Sequence, residues 1–580
     1  MPELSIALAQ VNTAVGDLAG NSKKILEYTD RAERGGADLV VFPELCLTGY
    51  PPEDLLLKPE FVKTSMEAIE RISREVGDIV AVVGFVESDS DTFNSAAVAT
   101  RGKLVCTYRK RFLPNYGVFD EKRYFGSGDK SLVLDVDGIK VGVTVCEDIW
   151  FPGGPLDEQV SRGGAELVVN LSASPFDRGK YAYRKELVAA RSTDGPVFLA
   201  YVNTVGGQDE LVFDGGSCVH DPQRGFIAMA ARFHEELLVC DVDFKYLRSR
   251  RMVEPRFRHV VERCEREDLQ IQRLERPERE PEKRKREAVK GQAKELSDIE
   301  EIYEAITIGL SEYVSKNGFE KVVLGLSGGI DSALTAALAV EALGRSNVIC
   351  VFLPSKFTSE LSSTVVEKLV LNLGVQIMRI PIGNIFDSYF NSLVDEMQGE
   401  KSGIVFENIQ ARIRGNLLMA LSNRFGWLVL ATGNKSELSM GYCTLYGDMA
   451  GGFALIKDLL KTQVYELAEY MNKRDGSELI PRGIIEREPS AELSEGQRDV
   501  DTLPPYEELD PILEAYIEDG LSVADLVEEG FSAELVERIV STVDANEYKR
   551  RQAPIGVKIT SRAFGRDWRM PISTAPFRPR

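Results

Sequence analysis

Three side chains with reactive chemistry sit at the ends of apolar runs early in the chain: Glu44 after DLVVFP, Lys110 in LVCTYRK and Cys146 after KVGVTV. A cysteine supplies a nucleophile, a carboxylate can take its proton and later activate water, and a lysine ammonium can stabilise an oxyanion. Alone, Cys146 reads as a small core residue, the usual role of a lone cysteine. The three together make a chemically complete set. Strand ends that share a direction in a layered α/β domain lie on one rim, so residues a hundred positions apart can converge there.

A second signal is Ser327-Gly328-Gly329-Ile330-Asp331-Ser332, placed where a strand ends and a helix begins. Glycines there let the backbone approach a phosphate, free amides and the helix dipole favour its charge, and the serines add hydroxyl donors. Asp331 beside phosphates is repulsive unless a divalent cation lies between, which suggests magnesium. In isolation the same residues also fit a tight turn with Asp331 capping the helix. The GxxxxGK[ST] pattern is absent, which argues against transfer of a γ-phosphate.

The elements that must position these groups fall into two unlike halves. Up to about residue 255, short runs such as LSIALAQ, ADLVVFPE, DIVAVVGF, KVGVTVCE, AELVVNLS and VFLAYVNT alternate with polar, often helical stretches, which predicts an α/β layered domain over 1–255. Residues 256–295 are nearly devoid of apolar side chains over much of their length and read as a charged linker or exposed helix. Over 296–580, KVVLGLSGGIDSALTAALAVEAL followed by NVICVFLPS is a strand-helix-strand unit of a doubly wound parallel sheet, and WLVLATGN returns as a further strand. The stretch 482–503, rich in Glu, Pro and Ser, reads as a mobile loop able to close over a site.

Bulk properties narrow the chemistry. A chain of 580 residues with 43% hydrophobic and 28% charged side chains fits two or three folded domains. No run reaches the roughly 18 apolar residues of a spanning helix, and MPELSIALAQVN has no basic region leading into an apolar one, so neither membrane insertion nor secretion is expected. The net charge of -21 disfavours nucleic acid and anionic membranes and points to small-molecule work. Eight scattered cysteines without a CxxC pair fit reduced thiols in the cytoplasm. The three histidines, His220, His234 and His259, show no metal-ligand spacing and leave few candidates for the base of a Ser-His-Asp triad.

SGGIDS resembles the pyrophosphate loop of the N-type ATP pyrophosphatases. The C-terminal half is similar to NAD synthetases over about residues 296–570, through FENIQARIRGNLL, ATGNKSELSMGYCTLYGD, ALIKDLLKTQVYELA, REPSAELSEGQRD with TLPPYEELD, and NEYKRRQAPIGVKI. That resemblance implies a Rossmann-like ATP pyrophosphatase domain in which Gly325, Leu326, Ser327, Gly328, Gly329, Ile330, Asp331 and Ser332 cradle ATP, Thr432 contacts its nucleoside portion and Lys461 neutralises phosphate charge. It also implies that Asn408, Glu437, Tyr442, Cys443, Thr444, Leu445, Asp448 and Lys549 meet deamido-NAD, with Asp331 and Glu437 holding Mg2+.

FPELCLTGYPPEDLL, YRKRFLPNYGVFDEKRYF, VCEDIWFP and NLSASPFDRGK resemble, over roughly residues 4–245, the nitrilase superfamily and within it the glutamine-hydrolysing domains fused to NAD synthetases. This implies an αββα sandwich in which Cys146 attacks glutamine, Glu44 and Lys110 assist, and Tyr116, Ser174 and Lys180 contact glutamine, with Glu121 a partner of Lys110. The family's more usual histidine two residues after the lysine is Phe112 here, preceded by Arg111. The implied reaction forms NAD from deamido-NAD, ATP and glutamine, with ammonia passed through the protein interior and the chain self-associating. Rival readings are an amidotransferase acting on a nucleotide or aspartate, an ammonia-only synthetase with a relic first domain, and a first domain that serves only as a docking module.

Overall fold

The computed structural model describes residues 3–263, 269–274, 293–396, 403–490, 492–494 and 496–574. It forms two compact units, one of Met1–Gln208 with Val212–Glu295 and one of Asp209–Leu211 with Leu296–Arg580.

The first unit is built on two sheets. One has six strands in the spatial order Glu236–Asp243, Glu3–Gln10, Leu39–Val41, Val80–Ser88, Thr92–Thr100, Lys103–Arg109. The other has seven, ordered Gly225–Met229, Cys218–Asp221, Phe198–Asn203, Leu167–Ser172, Ile139–Val145, Ser131–Val136, Leu269–Leu274. Side chains alternate across a strand, and here both faces are apolar. Ile6, Leu8, Val80 and Val82 enter one core, while Ala7, Ala9, Ala81 and Val83 enter another on the opposite face. The first core also receives Val141, Val143, Leu167, Val169 and Ala200 of the second sheet, so the sheets pack face to face. Helices Leu18–Arg34 and Pro59–Glu75 cover the outer face of the first sheet through Ile25, Ala32, Ala68, Ile69 and Ile72. Helices Pro155–Ser161 and Lys180–Asp194 cover the second through Leu156, Val160 and Val188. The expected αββα sandwich results. Each buried Val or Leu contributes about 1.5–3 kcal/mol, and a one-residue slip of a strand would exchange its two faces, so the packing fixes register.

Register and direction decide where reactive residues emerge. Leu39–Val41 runs parallel to Val80–Ser88, and two antiparallel steps later Lys103–Arg109 runs the same way. Ile139–Val145, Leu167–Ser172 and Phe198–Asn203 are mutually parallel. Glu44 and Lys110 therefore follow co-directional strands of one sheet, and Cys146 and Ser174 those of the other.

Part of the expected linker is structured. Helix Pro255–Arg263 opens it, and Leu269–Leu274 pairs in parallel with Ser131–Val136 as an edge strand. The LQIQRL run carries an alternating pattern that the surrounding charges mask. Residues 264–268 and 275–292 of that stretch, Cys264 included, lie outside the described residues.

The second unit has a five-stranded sheet, all parallel, in the order Gln376–Arg379, Val348–Phe352, Val322–Leu326, Leu428–Ala431, Phe453–Ala454. The first and last of these were not evident in the sequence, being short, and the first partly exposed. Helix Ile330–Leu343 lacks a polar face because it is enclosed by the sheet and by helices Asp298–Lys316 and Lys461–Asp475. A helical layer, Tyr506–Glu514, Val523–Glu528 and Ala533–Ala545, packs around Phe564 and Trp568. Among the described residues no helix is long and apolar enough to cross a membrane, and all seven cysteines are free.

Candidate active sites

In the first unit Cys146 follows strand Ile139–Val145 at the start of a tight turn, with φ at +43°. A side chain in that region costs about 1–2 kcal/mol, so something must hold it. Asp148 does. Its buried carboxylate accepts from Val145 N (2.9 Å), Tyr108 Oη (2.7 Å), Arg111 N and Phe112 N (both 3.0 Å), clamping the cysteine turn to the segment that follows Lys110. Phe112 thus contributes its backbone amide to this clamp.

Lys110, whose side chain is 0% exposed, places Nζ 2.7 Å from Glu44 Oε1 and 2.8 and 2.9 Å from the two oxygens of Glu121. Glu44 Oε1 also accepts from Asn94 Nδ2 (2.7 Å), and Oε2 from the Ala173 amide (3.0 Å), so this carboxylate ties the two sheets together. Tyr50 Oη donates to Glu121 at 3.0 Å. Burial opposes the charge on Lys110, but Glu121 and Glu44 outweigh it and hold the ammonium well above the ordinary lysine range. Burial pushes Glu121 up to about 7. Burial, then the Glu44 carboxylate, push the Cys146 thiol well above its ordinary value despite the opposing pull of Lys110. A protonated thiol, a carboxylate able to receive its proton and a fixed cation are what thiol-based acyl transfer needs.

Cys146 opens onto a cavity of about 370 Å³ that Tyr116, Ser174 and Lys180 also line. All three residues expected to meet glutamine are thus brought to one hollow with the cysteine. Tyr116 Oη donates to Glu147 Oε1 at 2.9 Å, and the backbone of Ser174 is held by Asn203.

In the second unit Ser327 leaves the C-terminal end of Val322–Leu326, and Thr432 leaves the neighbouring parallel strand Leu428–Ala431 at the same edge of the sheet, where open α/β sheets bind ligands. The turn is self-bonded: Gly329 N donates to Ser327 Oγ (3.1 Å), Ser332 Oγ to Gly329 O (3.1 Å) and Ser327 N to Ser332 Oγ (3.3 Å). Gly328 has φ +88°, and a Cβ there would lie 3.2 Å from Ser362 Cα, so only glycine is comfortable.

Lys461, 2% exposed, lies between the two carboxylates expected to hold a metal, 2.5 Å from Asp331 Oδ2 and 3.2 Å from Glu437 Oε1. Asn434 orients the first, donating to Asp331 Oδ1 (2.8 Å), and caps the helix that carries the second by accepting from the Glu437 backbone amide (2.9 Å). Burial pushes Glu437 up to about 8, although Lys461 opposes it. Among the described residues no three His, Cys, Asp or Glu side chains form a metal-ligating group.

The residues expected to meet a dinucleotide form a neighbouring cluster. Thr444 Oγ1 donates to Asn408 Oδ1 (2.7 Å) and its amide to Asp448 Oδ1 (2.6 Å). Leu445 O accepts from Arg412 Nε at 3.2 Å. Lys549 Nζ donates to the carbonyls of Gly441 (2.7 Å) and Cys443 (3.0 Å), so it braces this loop. The Tyr442 amide donates to Glu437 O at 2.9 Å, linking this cluster to the Lys461 group. The stretch expected as a mobile loop is tethered in part: Arg487 Nη1 donates to Ser362 Oγ (2.6 Å), Ser362 Oγ to Glu492 Oε2 (2.8 Å), and Gln410 Nε2 to Leu493 O (2.8 Å).

Sequence reasoning did not single out Asp148, Asn94 or Asn434. The first and last lie inside quoted segments, VCEDIWFP and ATGNKSE, whereas nothing around Asn94 marks it.

The first unit matches the carbon-nitrogen hydrolase family over residues 5–252, and the second matches the NAD synthase family over residues 302–553. The glutamine-dependent NAD(+) synthetase of Thermotoga maritima is 47% identical over 575 residues, 99% of each chain. That of Aquifex aeolicus is 46% identical over 579 residues, 99% of this chain and 100% of the relative. A solved glutamine-dependent NAD+ synthetase from Acinetobacter baumannii, in complex with ADP, is 40% identical with a TM-score of 0.74 over 98% of both chains. With both halves matched in order and this identity sustained from end to end, the chain belongs to the family of glutamine-dependent NAD(+) synthetases.

Proposed function

We propose that this chain converts deamido-NAD, ATP and glutamine into NAD, AMP, pyrophosphate and glutamate, generating its own ammonia in the first unit. Glutamine enters the 370 Å³ cavity and is contacted by Tyr116, Ser174 and Lys180. Glu44 takes the Cys146 proton as Sγ attacks the side-chain amide carbon, and the oxyanion is stabilised by the Lys110 ammonium. Collapse breaks the C–N bond, Glu44 returns the proton to the departing nitrogen, and ammonia leaves a γ-glutamyl thioester. Glu44 then takes a proton from water as its oxygen attacks the thioester carbonyl, and glutamate and the thiol are released. Glu121 keeps Lys110 charged and in place.

In the second unit the loop Gly325–Ser332 and Thr432 hold ATP, and Asn408, Glu437, Tyr442, Cys443, Thr444, Leu445, Asp448 and Lys549 form the deamido-NAD side. The deamido-NAD carboxylate attacks the α-phosphorus, pyrophosphate departs, and ammonia displaces AMP from the acyl carbon with loss of a proton. Lys461 offsets the charge of the phosphates. Two carboxylates that already converge on one cation suit a hard divalent ion; Asp331 and Glu437 would hold Mg2+, which when bound would neutralise phosphate charge.

The observation that carries the reading is the buried Lys110 ammonium 2.7 Å from Glu44, both near enough to act electrostatically on the Cys146 thiol that opens onto the cavity, in a chain that also bears the 327–332 anion cradle. The test is NAD formation by wild type and Cys146→Ala, with glutamine or ammonium as donor. The variant is expected to lose the glutamine reaction alone; equal loss of both refutes the division of labour. Coupling of the two sites predicts that glutamine hydrolysis accelerates when ATP and deamido-NAD are present. A cytoplasmic setting and self-association accompany this reading, the first supported by free, scattered cysteines and the second open to sedimentation analysis.

A further inference from the structure

The cavity at Cys146 carries more charge than cleavage of an amide requires. Its lining includes two carboxylates, Glu147 and Asp177, and two cations, Arg178 and Lys180. Glu147 adjoins the nucleophile and accepts from Tyr116 Oη. Asp177 is paired instead with Lys180, its Oδ2 3.3 Å from Nζ, with both side chains 19% exposed. The turn they share, ahead of helix Lys180–Asp194, is already closed by the Lys180 amide donating to the Asp177 carbonyl at 3.1 Å. The side-chain pair therefore adds a charge arrangement rather than the turn itself.

That arrangement discriminates between ligands. A ligand carboxylate that engages Lys180 competes with Asp177 for one ammonium and brings two carboxylates to a single cation in a partly buried place, which is costly. A ligand carrying an ammonium beside its carboxylate restores the balance in the same step, exchanging one ion pair for two. Specificity then comes from penalising the wrong ligand as much as from attracting the right one.

We propose that Asp177 is a specificity-determining residue of this pocket: it receives the α-ammonium of glutamine while Lys180 receives the α-carboxylate, so amides lacking the α-amino group are rejected. The inference rests on the reading of this cavity as the glutamine site.

The test uses the full chain, comparing wild type, Asp177→Asn and Asp177→Glu for hydrolysis of glutamine and of 4-carbamoylbutanoate, which is glutamine without its amino group, and for ammonium-driven NAD formation. Asp177→Asn is expected to raise KM for glutamine about tenfold or more while kcat stays within about twofold. KM for 4-carbamoylbutanoate should stay level or fall, so the preference for glutamine drops by at least the same factor. Ammonium-driven synthesis should be unchanged, and Asp177→Glu should recover part of the lost preference. An unchanged KM for glutamine, or equal weakening of both amides, overturns the proposal, the latter by exposing a merely structural role. Wild type that uses ammonium but hydrolyses no glutamine would instead refute the reading of the cavity, and the inference with it.

Discussion

Replacing Lys110 by Met removes the one cation that stands 2.7 Å from Glu44 and 2.8 Å from Glu121, with all three side chains 5% exposed or less. Methionine keeps the volume and leaves two buried carboxylates facing each other. Removing one partner from a buried ion pair costs about 3–5 kcal/mol, unless a proton replaces the lost charge. Burial, with the Glu44 carboxylate adding to it, already holds Glu121 up at about 7 against the pull of Lys110, so without the lysine Glu121 must titrate higher still. The sign follows from linkage. A carboxylate whose folded pKa exceeds its unfolded value of about 4.3 binds a proton preferentially in the folded state, so stability is lost as pH rises from there through the folded value. The variant is therefore expected to be weaker than wild type by an amount that grows as pH rises from 5 to 8, towards about 3–5 kcal/mol and a shift in Tm of about 10 °C for a domain of this size. Calorimetry of both proteins from pH 5 to 8 reads this directly. A penalty independent of pH would mean the loss is one of packing, and the account of Lys110 as a charge held between two acids would be wrong. The glutamine reaction should fall about 10²–10³-fold through loss of oxyanion stabilisation, with the ammonium reaction retained.

Lys461→Met should have the opposite selectivity. It removes the cation between Asp331 and Glu437, so NAD formation should fall alike with glutamine and with ammonium while basal glutamine hydrolysis persists; a donor-dependent loss would refute the assignment of Lys461 to ATP. Behind the first site, where Arg184 also donates to Ser174 O (3.4 Å), Asp214 is buried between Arg184 (2.6 Å) and Arg232 (3.0 Å), and although burial opposes it the two guanidinium groups hold its carboxyl below the usual range. Asp214→Asn should cost about 3–5 kcal/mol at neutral pH. Because the folded pKa is depressed, the wild-type advantage is full above about pH 4 and is lost as pH falls through the folded value; denaturant unfolding at pH 7 and pH 3 that showed the same difference would refute it.

Nearly unbroken apolar runs in LSIALAQ, DIVAVVGF and KVGVTVCE were enough to place strands, because both faces of each sheet are buried and successive residues must be apolar on one side and then the other. The glycine turn at 327–332 was legible for a similar local reason: its geometry is set by residues within six positions of one another. The reactive side chains Glu44, Lys110 and Cys146 could be named, since each follows its own strand. Tertiary structure alone decided that Asp148 clamps the cysteine turn to the segment after Lys110 and that Asn94 orients Glu44, because these hydrogen bonds join segments brought together by sheet packing. The edge strand Leu269–Leu274 was hidden for the complementary reason. Its pairing is supplied by Ser131–Val136, more than a hundred residues away, and a backbone ladder leaves no mark on the side-chain composition that a sequence displays.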